Sequence, residues 1–164
     1  MTRSSDALVL VGEKSSDAAR LSEVAVYLAA GLPGAEVEHV GSTAVPGCLT
    51  KGDLDVLVRV PPADFPRSIQ VLDGLLARSP RNDPTDEYVE YDYEGHGFSA
   101  SVQLAVLDGW HDRRFHGLKV LLTSDPRALE RYNSMKRVYE GRPIAEYRQA
   151  KAELIESLLA GASG

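Results

Sequence analysis

A chain of 164 residues, 43% hydrophobic and 26% charged, carries enough apolar material for one buried core and is most simply a single domain. Its 18 Lys and Arg against 24 Asp and Glu leave a net charge of −6 with no basic run, which argues against sequence-independent nucleic-acid binding. The single cysteine, Cys48, excludes an intramolecular disulfide, and no apolar run reaches the ~20 residues that span a bilayer; a reducing, cytoplasmic location with no membrane contact is expected.

The first residues carry a short apolar patch, Ala7 to Val11, but no proper signal peptide, so 1–15 is expected to be a flexible or edge-strand arm. Ser16 or Asp17 is placed to cap a helix in which Leu21, Val24, Ala25 and Leu28 recur at helical spacing, closed by Gly31 and Pro33. Glu36–Val40 predicts a strand, and Thr43–Val45 a single helical turn before Pro46-Gly47. Leu54–Val60 predicts a second strand, continuous enough in apolar character to be buried on both faces and stopped by Pro61-Pro62. Ile69, Leu72, Leu75 and Leu76 give the next helix one greasy side, and Ser79–Asp86 is a breaker-rich loop.

Glu87–Tyr93 alternates, with Val89, Tyr91 and Tyr93 on one side and Tyr88, Glu90 and Asp92 on the other. A turn at Gly95-His96-Gly97 leads into a strand over Phe98–Leu107, and the pair predicts a hairpin. Three helical segments follow, broken at Ser124-Asp125-Pro126 and Gly141-Arg142-Pro143, each with Pro near the first helical position. Ile144, Tyr147, Leu154, Ile155 and Leu158 form the stripe of the last. This order predicts an α+β (mixed α/β) fold, a small mixed sheet with packed helices. Within it, 16–107 forms an α/β core and 108–160 a set of C-terminal helices packed on it in the same domain.

Chemistry concentrates in His39-Val40-Gly41-Ser42-Thr43-Ala44-Val45-Pro46-Gly47 and the following Lys51-Gly52-Asp53-Leu54-Asp55. Residues two apart on a strand share a face, so Asp53 and Asp55 point the same way at the start of an oily strand. Two such carboxylates repel unless a cation lies between them, and hard oxygen ligands suit magnesium, which also takes substrate phosphates. The Gly41-Ser42 turn offers backbone N–H groups and a hydroxyl for a phosphate.

Gly41-Ser42 followed by Asp53-x-Asp55 resembles the signature of the nucleotidyltransferase (polymerase-beta-like) superfamily, and the fuller string from His39 to Gly47 is similar to that of the GrpB-like family. Trp110, Arg114, Tyr132, Lys136, Tyr147 and Lys151 also fall where that family carries similar residues. The resemblance covers roughly residues 17–160. It implies that Asp53 and Asp55 are catalytic and hold Mg²⁺ or Mn²⁺, and that Gly41 and Ser42 anchor the phosphates of an NTP. Thr43 and Lys51 are lesser phosphate candidates; Thr43 can equally cap its turn, and Lys51 can equally be a surface lysine. Arg114 matches a family arginine able to clamp an anion, and Lys136 and Lys151 are further binding candidates. Arg113 and Lys119, near Arg114, more simply form a solvated face.

Enzymes of that superfamily usually add a third carboxylate from a later strand. Here the later strand reads Ser99-Ala100-Ser101-Val102-Gln103-Leu104 and contains no acid. Gln103 is expected at the catalytic place, with Ser101 beside it, and a Gln oxygen cannot take a proton near pH 7. Glu90 and Asp92 are candidates if their side faces the cleft, although a solvated, charge-protected edge is the preferred reading of that side. His39 is expected to pack or hydrogen-bond, and His96, His111 and His116 show no ligand spacing. The expected activity is transfer of an NMP from an NTP to a hydroxyl of an unidentified acceptor, nucleic acid being disfavoured; the alternative is a catalytically weak nucleotide-binding or protein-interaction module. The acceptor, the nucleotide and the oligomeric state are not legible.

Overall fold

The computed structural model describes residues 7–10 and 18–162. In chain order it contains α1 (Ala18–Gly31), β1 (Glu36–Val40), β2 (Leu54–Val60), α2 (Phe65–Leu75), β3 (Ala77–Arg78), β4 (Tyr88–Glu94), β5 (Ser99–Val106), α3 (Trp110–Ser124), α4 (Pro126–Tyr139) and α5 (Ile144–Ala162). The expected α+β class holds. The two-residue β3 is unforeseen, because two residues are too few for an alternating pattern to register. A 3-10 turn at Ser42–Ala44 lies one residue earlier than expected. Asp125 caps α4 by accepting from the Arg127 and Ala128 N–H groups, with Pro126 in the first turn.

The described residues form one five-stranded sheet in the order β1-β2-β5-β4-β3. Only β2 and β5 run parallel; β1–β2, β4–β5 and β3–β4 are antiparallel. Period-2 alternation gives this sheet two unlike faces. Leu54, Val56, Val58, Val89, Tyr91, Val102 and Leu104 bury one face against Val24 and Leu28 of α1 and Phe65 and Leu72 of α2.

The opposite face is apolar at one end, where Val40, Leu57, Tyr88 and Ala105 pack with Phe115 of α3. It is polar at the other, where Asp55 stands level with Ser101 and Asp92, and Leu57 with Gln103 and Glu90. β2 is therefore buried on both faces except at Asp55 and Arg59. Arg59 fastens α3 to the sheet by a bidentate pair with buried Asp112, Nε to Oδ1 at 2.7 Å and Nη2 to Oδ2 at 3.0 Å. Helices α3, α4 and α5 share a core of Leu122, Ala128, Tyr132, Ile155 and Leu158 that also takes in Val45 and Cys48 from the β1–β2 connection.

Of the N-terminal arm, Leu8 is buried; its N–H donates to the Arg142 carbonyl at 2.9 Å and its carbonyl accepts from Gly141 at 2.8 Å. Ala7 bridges Pro143, and the remaining arm residues 1–6 and 11–15, with the capping residues Ser16 and Asp17, lie outside the described residues. No described helix is long and apolar enough to cross a membrane.

Candidate active site

Between the polar end of the sheet and helices α3 and α5 lies an open cleft of about 800 Å³. Gly41, Ser42, Lys51, Asp53, Asp55, Gln103 and Arg114 all line it, so the fold gathers seven of the sequence-predicted residues on one cavity.

Gly41 ends β1 at φ +75°, in the left-handed region open to glycine. A Cβ there would run into the Asp55 carboxylate, so the turn rests directly on that acid. Behind it, α4 holds the loop. Asn133 Nδ2 donates to the Gly47 carbonyl at 2.9 Å, and its Oδ1 accepts from the Leu49 N–H at 2.8 Å. The buried Lys136 ammonium donates to Ser42 Oγ and, at 2.5 Å, to the Leu49 carbonyl; it lies 4.7 Å from the centre of the Tyr132 ring. Burial pulls Lys136 down to about 8. Tyr132 is buried beside this ammonium, and burial keeps its hydroxyl protonated. The sequence offered Lys136 only as a loose binding candidate and gave no signal for Asn133.

Thr43 corrects an expectation. It is buried and absent from the cleft wall. Its hydroxyl donates to the Asp53 carbonyl at 3.1 Å and meets His39 Nε2 at 2.8 Å. It staples the loop to the start of β2 rather than facing a ligand, and His39 is its hydrogen-bonding partner.

The aspartates differ. Asp53 is largely exposed and pairs with Lys51 at 2.5 Å. Asp55 is partly buried, and its carboxylate has no hydrogen bond or ion pair with any described side chain or backbone group; burial, reinforced by Asp53, lifts it to about 6 although Lys151 pulls the other way. An unpartnered acid crowded by a second acid is a donor set that fits a divalent cation. Among the described residues no three His, Cys, Asp or Glu side chains cluster as a closed cage. The two aspartates alone match a hard cation that keeps positions for water and phosphate.

Lys51, beside Asp53, and Arg114, Lys119, Arg148 and Lys151 put positive charge on the cleft lining. Arg114 lies 4.5 Å from the centre of the Trp110 ring, and Lys119 is engaged with Glu38 at 3.3 Å. Arg113 is not on this wall.

The third-acid region departs from expectation twice. Register sets Ser101, not Gln103, directly across from Asp55; Gln103 stands one row deeper, opposite Leu57. Its amide is committed on both sides, accepting from Tyr88 and donating to Ser101 Oγ at 2.7 Å. The acidic side of β4 is no solvated edge, because β3 covers that strand and its polar face turns into the cleft. Glu90 is 3% exposed and accepts from Ser101 Oγ at 2.8 Å, from Arg81 Nε at 3.0 Å and from Asn82. Burial alone would raise its pKa; hydrogen bonds from Asn82, Ser101 and Arg81 outweigh that and hold it below the ordinary glutamate value.

A profile of the GrpB protein family matches residues 11–160. The chain belongs to the GrpB family. The UPF0157 protein VC_A0354 of Vibrio cholerae is 31% identical over 134 residues, 80% of this chain and 70% of that one. The crystal structure of GrpB from Enterococcus faecalis superposes with a TM-score of 0.63 at 17% identity, covering 91% of this chain and 98% of that one, and so shares its fold. A weaker likeness is to the Cid1 poly(U) polymerase in its MgGTP-bound crystal form, TM-score 0.45 and 15% identity over 71% of this chain and 38% of that one. At that level it carries no argument about chemistry.

Proposed function

We propose that this GrpB-family chain transfers a nucleoside monophosphate from an NTP to a hydroxyl of a small-molecule or protein acceptor, with Asp53 and Asp55 holding Mg²⁺ or Mn²⁺. The observation that carries this is the Asp55 carboxylate, unpartnered among the described residues, beneath Gly41, next to a loop hydroxyl backed by a buried ammonium, in a cleft that basic side chains also line.

In this account Ser42 Oγ and the loop backbone hold the outgoing phosphates. Lys136 fixes Ser42 from behind and supplies positive charge that the loop itself lacks. Lys51, beside Asp53, and Arg114 and Lys151 elsewhere on the cleft lining neutralise the triphosphate. When bound, the divalent ion polarises phosphoryl oxygens and offsets charge building in the transition state. A bond forms between the acceptor oxygen and the α-phosphorus, the bond to the bridging oxygen breaks, pyrophosphate leaves with the electron pair, and the acceptor proton passes to solvent.

One observation favours a second reading. No carboxylate stands on β5 across from Asp55, where Ser101 is found instead, so the chain is alternatively a nucleotide-binding module without turnover. Incubation with α-labelled NTPs and Mg²⁺ or Mn²⁺ separates the two. Label transfer or pyrophosphate release, abolished by Asp53→Ala, supports the enzyme. Metal-dependent nucleotide binding without turnover supports the module, and no binding at all leaves neither.

A further inference from the structure

Ser101 is the side chain directly across the parallel pair from Asp55, and it lines the cleft. Its hydroxyl is unusually constrained. It accepts a hydrogen bond from Gln103 Nε2 at 2.7 Å and donates its own hydrogen to Glu90 Oε1 at 2.8 Å. Gln103 Oε1 faces the Tyr88 hydroxyl, which also lies 3.4 Å from Glu90 Oε2; with Nε2 toward Ser101 the amide acts there as the donor. Glu90 is pinned by Arg81, which shares Oε1 with Ser101, and by Asn82 on Oε2. A serine hydroxyl has one hydrogen and two lone pairs. With the hydrogen committed to a carboxylate and one lone pair to an amide, the single free valence of Ser101 is an acceptor, and an anionic partner strengthens it as one.

We propose that Ser101 accepts a hydrogen bond from the attacking hydroxyl of the acceptor substrate, and that Glu90 is the positioning residue that fixes Ser101 in that state. The negative charge absent from β5 is thus supplied from the adjacent strand and felt through a hydroxyl. The proposal rests on the nucleotidyl-transfer reading. It assigns the acceptor a hydrogen-bond donor, a hydroxyl rather than an ionised oxygen, on the Ser101 side of Asp55.

The test follows pyrophosphate release from α-labelled ATP with Mg²⁺ or Mn²⁺, with water and glycerol as hydroxyl acceptors, in the full-length protein. Ser101→Ala and Glu90→Gln are each expected to lower kcat by about tenfold or more, with KM for ATP within about twofold of wild type, as for a group acting on the second substrate. Ser101→Thr, which keeps the hydroxyl, recovers most of the rate. The Ser101→Ala/Glu90→Gln double variant is no slower than the worse single variant, because the two act as one unit. If Glu90→Gln fails to fold, Ser101→Ala and Ser101→Thr carry the test alone. A wild-type rate in Ser101→Ala, or a loss that Ser101→Thr does not restore, overturns the proposal and leaves nucleotidyl transfer standing. No release by the wild-type protein overturns both.

Discussion

The Lys136 ammonium donates to the hydroxyl of Ser42, 94 residues away in sequence, from a position where the lysine is 1% exposed. A charged group is costly to bury unless it is well hydrogen-bonded, and here its donors are spent on the inner side of the phosphate-facing loop. Lys136→Met, which keeps the stem but not the charge, should weaken Mg²⁺-ATP binding by about tenfold or more, the worth of one charge-assisted hydrogen bond, with the fold retained. The pH dependence has a definite sign. Lys136 titrates near 8 when folded, below the ordinary 10.5, so between those values the unfolded chain binds more protons. The stability cost of the buried charge therefore fades as pH rises from 8 towards 10.5, while nucleotide affinity falls as pH rises through about 8 and the folded ammonium loses its charge. Isothermal titration and urea unfolding at pH 7 and 9.5, on wild type and Lys136→Met, check both.

Asp55 is stabilising to the proposed complex and destabilising to the free protein. Burial raises its pKa from 3.8 to about 6, so the folded state holds a proton that the unfolded state has released, and stability drops as pH climbs between those values. Asp55→Asn should therefore gain about 1–3 kcal/mol at pH 7 in metal-free protein, with little gain at pH 4, read from urea unfolding. The same variant should lose Mn²⁺-dependent nucleotide binding. A stabilising change that removes function is the expected signature of a site built around an unpaired acid.

Gly41 combines a positive φ with close approach to Asp55. Gly41→Ala should cost about 1–3 kcal/mol of stability through backbone strain and displacement of the carboxylate. Nucleotide binding should fall with it. Ala44, in the adjoining 3-10 turn, provides a control: Ala44→Gly should lose stability modestly without the loss of binding.

Thr43 separates loop architecture from ligand contact. Thr43→Val removes hydrogen bonds to Asp53 and His39 and should cost about 1–2 kcal/mol in thermal or urea unfolding. Mg²⁺-ATP affinity at 15 °C, where the variant is folded, should stay within about threefold of wild type. A loss of affinity without a loss of stability would contradict the staple role.

What was legible in the sequence was local. Gly41-Ser42, Asp53-x-Asp55 and the period-2 strands are signals within a few residues of one another, and they place the strands and the loop correctly. What was not legible depends on distant partners. Glu90 reads as a solvated edge residue because two features that bury it, the β3 cover and the Arg81 and Asn82 side chains, come from a segment with no periodicity. Lys136 reads only as a loose binding candidate because nothing around it in sequence says that Ser42 and Leu49 lie above it. Gln103 and Ser101 share a face, and only the pairing of β5 with β2 decides which of them is level with Asp55. The Arg59–Asp112 pair was missed for the same reason.

The central claim is that Asp53 and Asp55 together hold a divalent ion that carries the phosphates of a nucleotide. Calorimetric titration of a non-hydrolysable ATP analogue into the metal-free protein, with and without Mn²⁺, tests it most directly. The expected result is saturable binding that requires Mn²⁺ and disappears in both Asp53→Ala and Asp55→Ala. Binding that is indifferent to the metal, or that survives loss of either aspartate, would contradict the account.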